Sequence, residues 1–301
     1  LRLYSDPEGT ALRAKLAELY GVEAGQVFLS NGSDDILNFA FMAFGADGAV
    51  FPALTYSFYP VFANLHGVAY ETVPLREDFT LDVAGMQGKG KLTVFPNPNA
   101  PTGIALPLDQ VEAIVASNPD HVVVVDEAYV DFGADSAVPL LQKYENLLVV
   151  MTYSKSRSMA GARLGFALGS RTLLQDLEKL KYSTNPYNVN RLTLKLGQAA
   201  VDSDGYFREK AREIMATREK TAQALRALSF TLPDSQANFL FVAHPKVAGE
   251  TLYRKCKEKG VLIRHFSDPA IAAYNRVTIG TPAEMEAFLA VVQTILKEEG
   301  A

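Results

Sequence analysis

Short apolar runs of strand length punctuate the chain, and most are continuous rather than alternating: Ala49 to Phe51, Leu92 to Phe95, His121 to Val125, Leu147 to Thr152 and Leu164 to Leu168. A strand that is apolar at successive positions is covered on both faces. Helical stretches such as Leu108 to Ser117 and Leu173 to Lys181 lie between these runs. Strand and helix in alternation predict an α/β fold, three layers built on a mostly parallel sheet. At the front, Ser5-Asp6-Pro7-Glu8-Gly9-Thr10 reads as a turn, and Leu12, Leu16 and Leu19 then recur at helical spacing up to Gly21. Val27-Phe28-Leu29, the turn Asn31-Gly32-Ser33 and the apolar stretch from Ile36 to Phe41 repeat the order strand, glycine turn, helix.

After Asn188 the texture changes. Residues 190–227 form a long stretch rich in Lys, Arg, Glu and Ala, which reads as a helical bridge between two domains. Strands are expected at Phe239 to Val242, Val261 to Arg264 and Arg276 to Ile279, with a helix over Val247 to Lys259. A last helix places Met285, Phe288, Leu289, Val292 and Leu296 on one face. The chain of 301 residues is therefore expected to divide into a large domain, residues 1–205, and a small α+β domain, residues 206–301.

Composition narrows the function. Lys and Arg number 29 against 34 Asp and Glu, a net charge of −5, with no basic block of the kind that tracks nucleic-acid phosphates. Nucleic acid is not an expected partner, and the longest apolar runs are too short to span a membrane. A single cysteine, Cys256, excludes an internal disulfide framework and, with four scattered His, a structural zinc site; a reducing, cytoplasmic setting is expected and no metal. Cys256 sits between Lys255 and Lys257, cations that would favour the thiolate, but it reads as incidental.

Several polar segments sit where apolar runs end. Asp126, in Asp126-Glu127-Ala128-Tyr129, follows a buried run, and ligands of α/β sheets collect at the carboxyl ends of strands. Lys155 follows Leu147 to Thr152 by a few residues, with Ser154 before it and Arg163 downstream, a setting for a nucleophilic amine beside an anion site. Gly32-Ser33-Asp34 opens a helix, where free N–H groups and the helix dipole favour a phosphate. A Pro/Asn/Gly stretch from Phe95 to Gly103 follows another strand. Each has an ordinary explanation, respectively a turn acid, a surface lysine, a helix cap and a loop. Pyridoxal phosphate, however, needs a lysine, a carboxylate for its ring nitrogen, a donor to its ring oxygen and a phosphate cradle together.

On these residues the chain resembles the fold-type I, class I/II pyridoxal-phosphate aminotransferases, and within them the histidinol-phosphate aminotransferase family. The segments that carry the resemblance run from Tyr4 to Arg13, Asn31 to Leu37, Pro74 to Asp82, Asp126 to Phe132, Lys155 to Gly165, Tyr187 to Val189 and Arg276 to Thr281. The resemblance implies transamination between L-histidinol phosphate and 2-oxoglutarate, a step of histidine biosynthesis, with pyridoxal 5′-phosphate as cofactor. It implies that Lys155 carries the cofactor as a Schiff base and then shuttles a proton, that Asp126 pairs with the ring nitrogen and that Tyr129 bonds the ring oxygen. Tyr56 would lie against the ring, and Ser33, Asp34, Ser154 and Arg163 would hold the phosphate. Tyr4 would reach the phosphate of a neighbouring subunit, so a homodimer is implied, and Arg276 and Arg264 would meet anionic substrates.

Two departures from the family stand out. The Asn expected immediately before the Pro-Thr-Gly turn is replaced by Ala100, with Asn99 one place earlier, so the ring oxygen is met either by Asn99 from a shifted loop or by Tyr129 alone. The chain also starts at Leu1 without Met, after the family's N-terminal arm. The alternatives are an aromatic amino-acid aminotransferase, a threonine-phosphate-type decarboxylase, or a truncated chain that binds the cofactor without turnover.

Overall fold

The computed structural model describes residues 2–301. Strands β1 (Val27–Ser30), β2 (Ala49–Pro52), β3 (Tyr70–Val73), β4 (Leu92–Pro96), β5 (Val123–Asp126), β6 (Leu147–Thr152) and β7 (Gly165–Gly169) form one sheet. Their spatial order is β1-β7-β6-β5-β4-β2-β3. Neighbours from β3 across to β6 pair in parallel, whereas β7 runs antiparallel to both β6 and β1. Every residue of β4, β5 and β6 is buried, as their unbroken apolar runs require.

Helices cover both faces. They are α1 (Thr10–Tyr20), α2 (Ser33–Phe44), α3 (Tyr59–Leu65), α4 (Val83–Met86), α5 (Leu108–Ala116), α6 (Arg171–Thr184) and α7 (Arg191–Asp202). One core joins Leu12 and Leu16 of α1 to Val123, Val125 and Val149; on the opposite face Ile36 and Phe41 of α2 pack with Val124, Leu148 and Val150. The alternation of side chains along a strand divides β5 and β6 between these two cores. The starts of α6 and α7 are capped by Ser170 and Asn190, whose side chains accept the Leu173 and Thr193 N–H groups.

The helical bridge expected over residues 190–227 is built of two helices. Ser203 separates α7 from α8 (Asp204–Ala227). Asp202, Ser203 and Asp204 carry short polar side chains that compete for backbone hydrogen bonds, and Gly205 follows, so propagation falters there. The expected division after residue 205 falls in the first turn of α8.

Beyond α8, strands β8 (Phe239–Ala243), β9 (Arg264–His265) and β10 (Tyr274–Thr278) make a second, antiparallel sheet in the order β8-β10-β9. Of the strand expected over Val261 to Arg264 only Arg264 lies in β9, which is two residues long. Helices α9 (Gly249–Glu258) and α10 (Pro282–Glu299) pack with the far half of α8 around Leu225, Leu240, Val277, Phe288 and Val292. The two sheets are tied together by Arg218 of α8, whose Nη1 donates to the carbonyls of Phe132 and Ala237, each at 2.8 Å. Among the described residues no helix is long and apolar enough to cross a membrane.

Candidate active site

The carboxyl ends of β4, β5 and β6 and the start of α2 open into one cavity of about 170 Å³. Ser33, Asp34, Tyr56, Asp126, Tyr129, Ser154, Lys155 and Arg163 all line it, together with Ala100 and Thr152. These residues come from segments far apart in the chain, and the parallel sheet is what gathers them at one edge.

Asp126 ends β5 and is almost fully buried. Its Oδ2 accepts the Tyr59 hydroxyl at 2.9 Å and its Oδ1 the Ala128 N–H at 3.2 Å. Burial pushes this carboxyl up to about 6, against the pull of those two donors and of the Lys155 charge. Lys155 is half-buried, with its Nζ 5.2 Å from the centre of the Tyr129 ring. Tyr129 in turn packs edge-on against Phe239 of β8 at 5.1 Å, so the small sheet closes one side of the cavity.

The opposite side is an open helix end. Helix α2 starts after Gly32 with no side-chain cap, which leaves the first N–H groups free for an anion. Gly32 sits at φ +87°, and a Cβ there would come within 2.6 Å of Arg163 Nη2. Arg163 itself holds a left-handed backbone at φ +51°, a conformation costing on the order of 1–3 kcal/mol for a residue with a side chain. It donates from Nη2 to Asp34 Oδ2 at 3.1 Å, while Asp34 Oδ1 accepts the Tyr56 hydroxyl at 2.8 Å. The Asp34 carboxylate therefore links the arginine to the tyrosine. Gly165 lies beneath this turn, where a Cβ would come within 2.4 Å of the Gly32 carbonyl carbon and the Ser33 nitrogen.

The other expected residues lie elsewhere. Asn99 does not line the cavity: its Nδ2 donates to the Leu54 carbonyl at 3.1 Å and to Thr102 Oγ1 at 3.2 Å, and it faces an adjoining crevice with Phe79 and Leu81. Ala100 takes the wall position instead. Tyr4 is 77% exposed, stacked on Tyr187 at 4.5 Å. Arg276 on β10 lies 5.1 Å from the Phe239 ring, with its Nε buried and unpartnered, and Arg264 stands opposite it on β9. Neither arginine lines the cavity. Cys256 is buried rather than set among cations, and burial pushes its thiol up to about 11.

Sequence reasoning passed over Tyr59. The visible signal is its closeness to Tyr56, three residues earlier, at the start of α3. Thr152 was also passed over; its Oγ1 donates to Ser154 Oγ at 3.0 Å and accepts the Ser154 N–H at 3.1 Å, fixing the residue beside the lysine.

Comparison with known proteins bears on this geometry. The family model Aminotransferase class I and II matches residues 1–292. A histidinol-phosphate aminotransferase from Brachyspira hyodysenteriae is 46% identical over 300 residues, 99% of this chain and 85% of the relative. Histidinol-phosphate aminotransferase 1 from Bordetella parapertussis is 48% identical, covering 98% of this chain and 84% of the relative. The solved histidinol-phosphate aminotransferase of Sinorhizobium meliloti, in complex with pyridoxal-5′-phosphate, shares the fold with a TM-score of 0.87 at 22% identity, covering 98% of this chain and 83% of that one.

Proposed function

We propose that this chain, which belongs to the class I and II aminotransferase family, transfers an amino group between L-histidinol phosphate and 2-oxoglutarate with pyridoxal 5′-phosphate as its cofactor. The observation that carries this reading is the convergence, in one cavity, of a lysine, a buried carboxylate and an uncapped helix end flanked by Arg163. That donor set fits the cofactor: the amine meets its carbonyl, the carboxylate its ring nitrogen, and the helix end with Arg163 its phosphate. When bound, the cofactor supplies a carbonyl that takes up the amino group and a ring that withdraws electrons from the substrate Cα.

The chain's residues do the rest. Lys155 Nζ would take the proton from the substrate Cα and return it to the carbon that the cofactor's carbonyl supplies, two atoms along; it must be neutral for the first step. Asp126 holds the ring nitrogen protonated, Tyr129 donates to the ring oxygen and Tyr56 covers the ring. Ser33, Ser154 and Arg163 hold the phosphate, with the Asp34 backbone N–H. The Asp34 carboxylate, being anionic, serves instead to keep Arg163 and Tyr56 in place. Arg276 and Arg264 bind the substrate anions, for which the planar guanidinium fork is suited. The exposed Tyr4 reaches the phosphate of a second copy in a homodimer, a reading supported by the exposed apolar Leu192 and Leu196 nearby on α7. Residues 1–205 and 206–301 act as cofactor domain and closing domain, and the buried lone thiol suits a cytoplasmic setting.

The test is substrate comparison. Histidinol phosphate, phenylalanine and threonine phosphate are each supplied with 2-oxoglutarate while glutamate and carbon dioxide are followed. Glutamate production fastest from histidinol phosphate, abolished in Lys155→Ala along with the cofactor's imine absorbance band, is the expected result. Preference for phenylalanine, or release of carbon dioxide, would overturn the assignment.

A further inference from the structure

Asp126 is the group that must stay ionised in this reading, yet it lies in a place that opposes its charge. Asp34 of α2 adds like charge nearby and Lys155 from the loop after β6 offsets it, while burial pushes Glu127, next in the chain, toward its neutral form and Tyr56 lies just before α3. The side chain that bonds the carboxylate directly is Tyr59, in the first turn of α3. Its ring is wholly buried, edge-on to Phe51 at 5.8 Å and to Tyr56 at 5.7 Å. A phenol placed in such a core loses its water and gains nothing from the hydroxyl unless that hydroxyl is bonded. Phenylalanine would fill the same space, so the hydroxyl needs a reason other than packing.

Resting on the function proposed above, we infer that Tyr59 is a positioning residue for transamination: its hydroxyl keeps the Asp126 carboxylate ionised and turned into the cavity, where it pairs with the protonated ring nitrogen of the cofactor. Removing the donor leaves a buried anionic oxygen with one partner fewer, which favours the protonated acid. A protonated Asp126 no longer favours the charged ring. Tyr59 thereby acts on the cofactor without touching the reacting atoms.

Tyr59→Phe in the full-length chain tests this, with the ring packing retained. The first readout is the Asp126 carboxyl titration in cofactor-free protein, followed by carbon-13 NMR and assigned with Asp126→Asn. The expected result is a midpoint about one pH unit higher in the variant, a tenfold gain in proton affinity. The second is pyridoxal phosphate affinity by fluorescence titration: about threefold weaker in Tyr59→Phe near pH 6.5, recovering toward pH 8.5, and no weaker when the same change is made in an Asp126→Asn background. An Asp126 titration that does not move, or an equal loss in the Asp126→Asn background, overturns the role of Tyr59. Failure of the unmodified chain to take up pyridoxal phosphate overturns the functional reading instead, and leaves the carboxyl titration to judge Tyr59 separately.

Discussion

Glu127 sits beside the proposed ring-nitrogen acid but points away from the cavity, and its charge is a liability that can be measured. It is 2% exposed, with Oε2 accepting the Ser136 hydroxyl and Oε1 the Ala137 N–H, each at 2.6 Å. Burial pushes its carboxyl from 4.5 up to about 8, against those two donors. A carboxyl raised on folding stabilises the fold fully below its unfolded value, and that contribution is lost as pH rises through the folded one. Between pH 5 and pH 8 the loss amounts to roughly 3 kcal/mol for a single proton. Glu127→Gln does not titrate, and its amide can still accept the Ala137 N–H and donate to Ser136 Oγ. Urea unfolding of both proteins at pH 5, 6, 7 and 8, at matched concentration and cofactor load, gives the difference directly. The variant is expected to gain on the parent steadily with pH, by roughly 3 kcal/mol over the range. Parallel pH profiles would refute the reasoning, because they would mean that Glu127 is ionised in both states or in neither.

Two further outcomes follow from the site. Gly165→Ala places a methyl group against the backbone of Gly32 and Ser33, so it should cost about 1–3 kcal/mol in unfolding and weaken pyridoxal phosphate binding as the helix end is displaced; unchanged cofactor affinity would show that the turn is not the phosphate cradle. Arg276→Gln should raise KM for histidinol phosphate about tenfold with kcat little changed, the pattern of lost uniform binding. Steady-state kinetics showing kcat reduced at constant KM would place Arg276 in the chemical step.

What the sequence makes legible depends on whether a signal is local. The strands β4, β5 and β6 announce themselves because burial on both faces demands unbroken apolar runs. Strand β3 does not: it lies at the sheet edge, where Tyr70 is 41% exposed and only Val73 is buried, so its pattern resembles a loop. The break at Ser203 is hidden for a similar reason, since charged helix-forming residues continue on both sides of it. Lys155 and Asp126 are legible because one cofactor needs both, and each stands at a strand end. Tyr59 is not, because a buried tyrosine at a helix start looks the same whether its hydroxyl meets a carboxylate or a carbonyl; only the packing of α3 over the end of β5 decides it.

The one-residue displacement of the loop asparagine makes the same point at the finest scale. Asn99 stands just before the turn that begins at Ala100, and the two side chains meet different cavities. Moving the amide from position 100 to position 99 therefore does not shift a cofactor contact by one place but sends it through the wall, where Asn99 bonds Leu54 and Thr102 beside the crevice that holds Phe79. Ala100 faces the cavity with a methyl group, packed with Tyr129 and Phe239 in one apolar cluster. On the proposed function the Tyr129 hydroxyl is left as the donor to the ring oxygen, and Tyr129→Phe should be more damaging to cofactor affinity here than in relatives that keep the asparagine. A loss of cofactor affinity no larger than in those relatives would mean that some other donor takes the place of the missing amide.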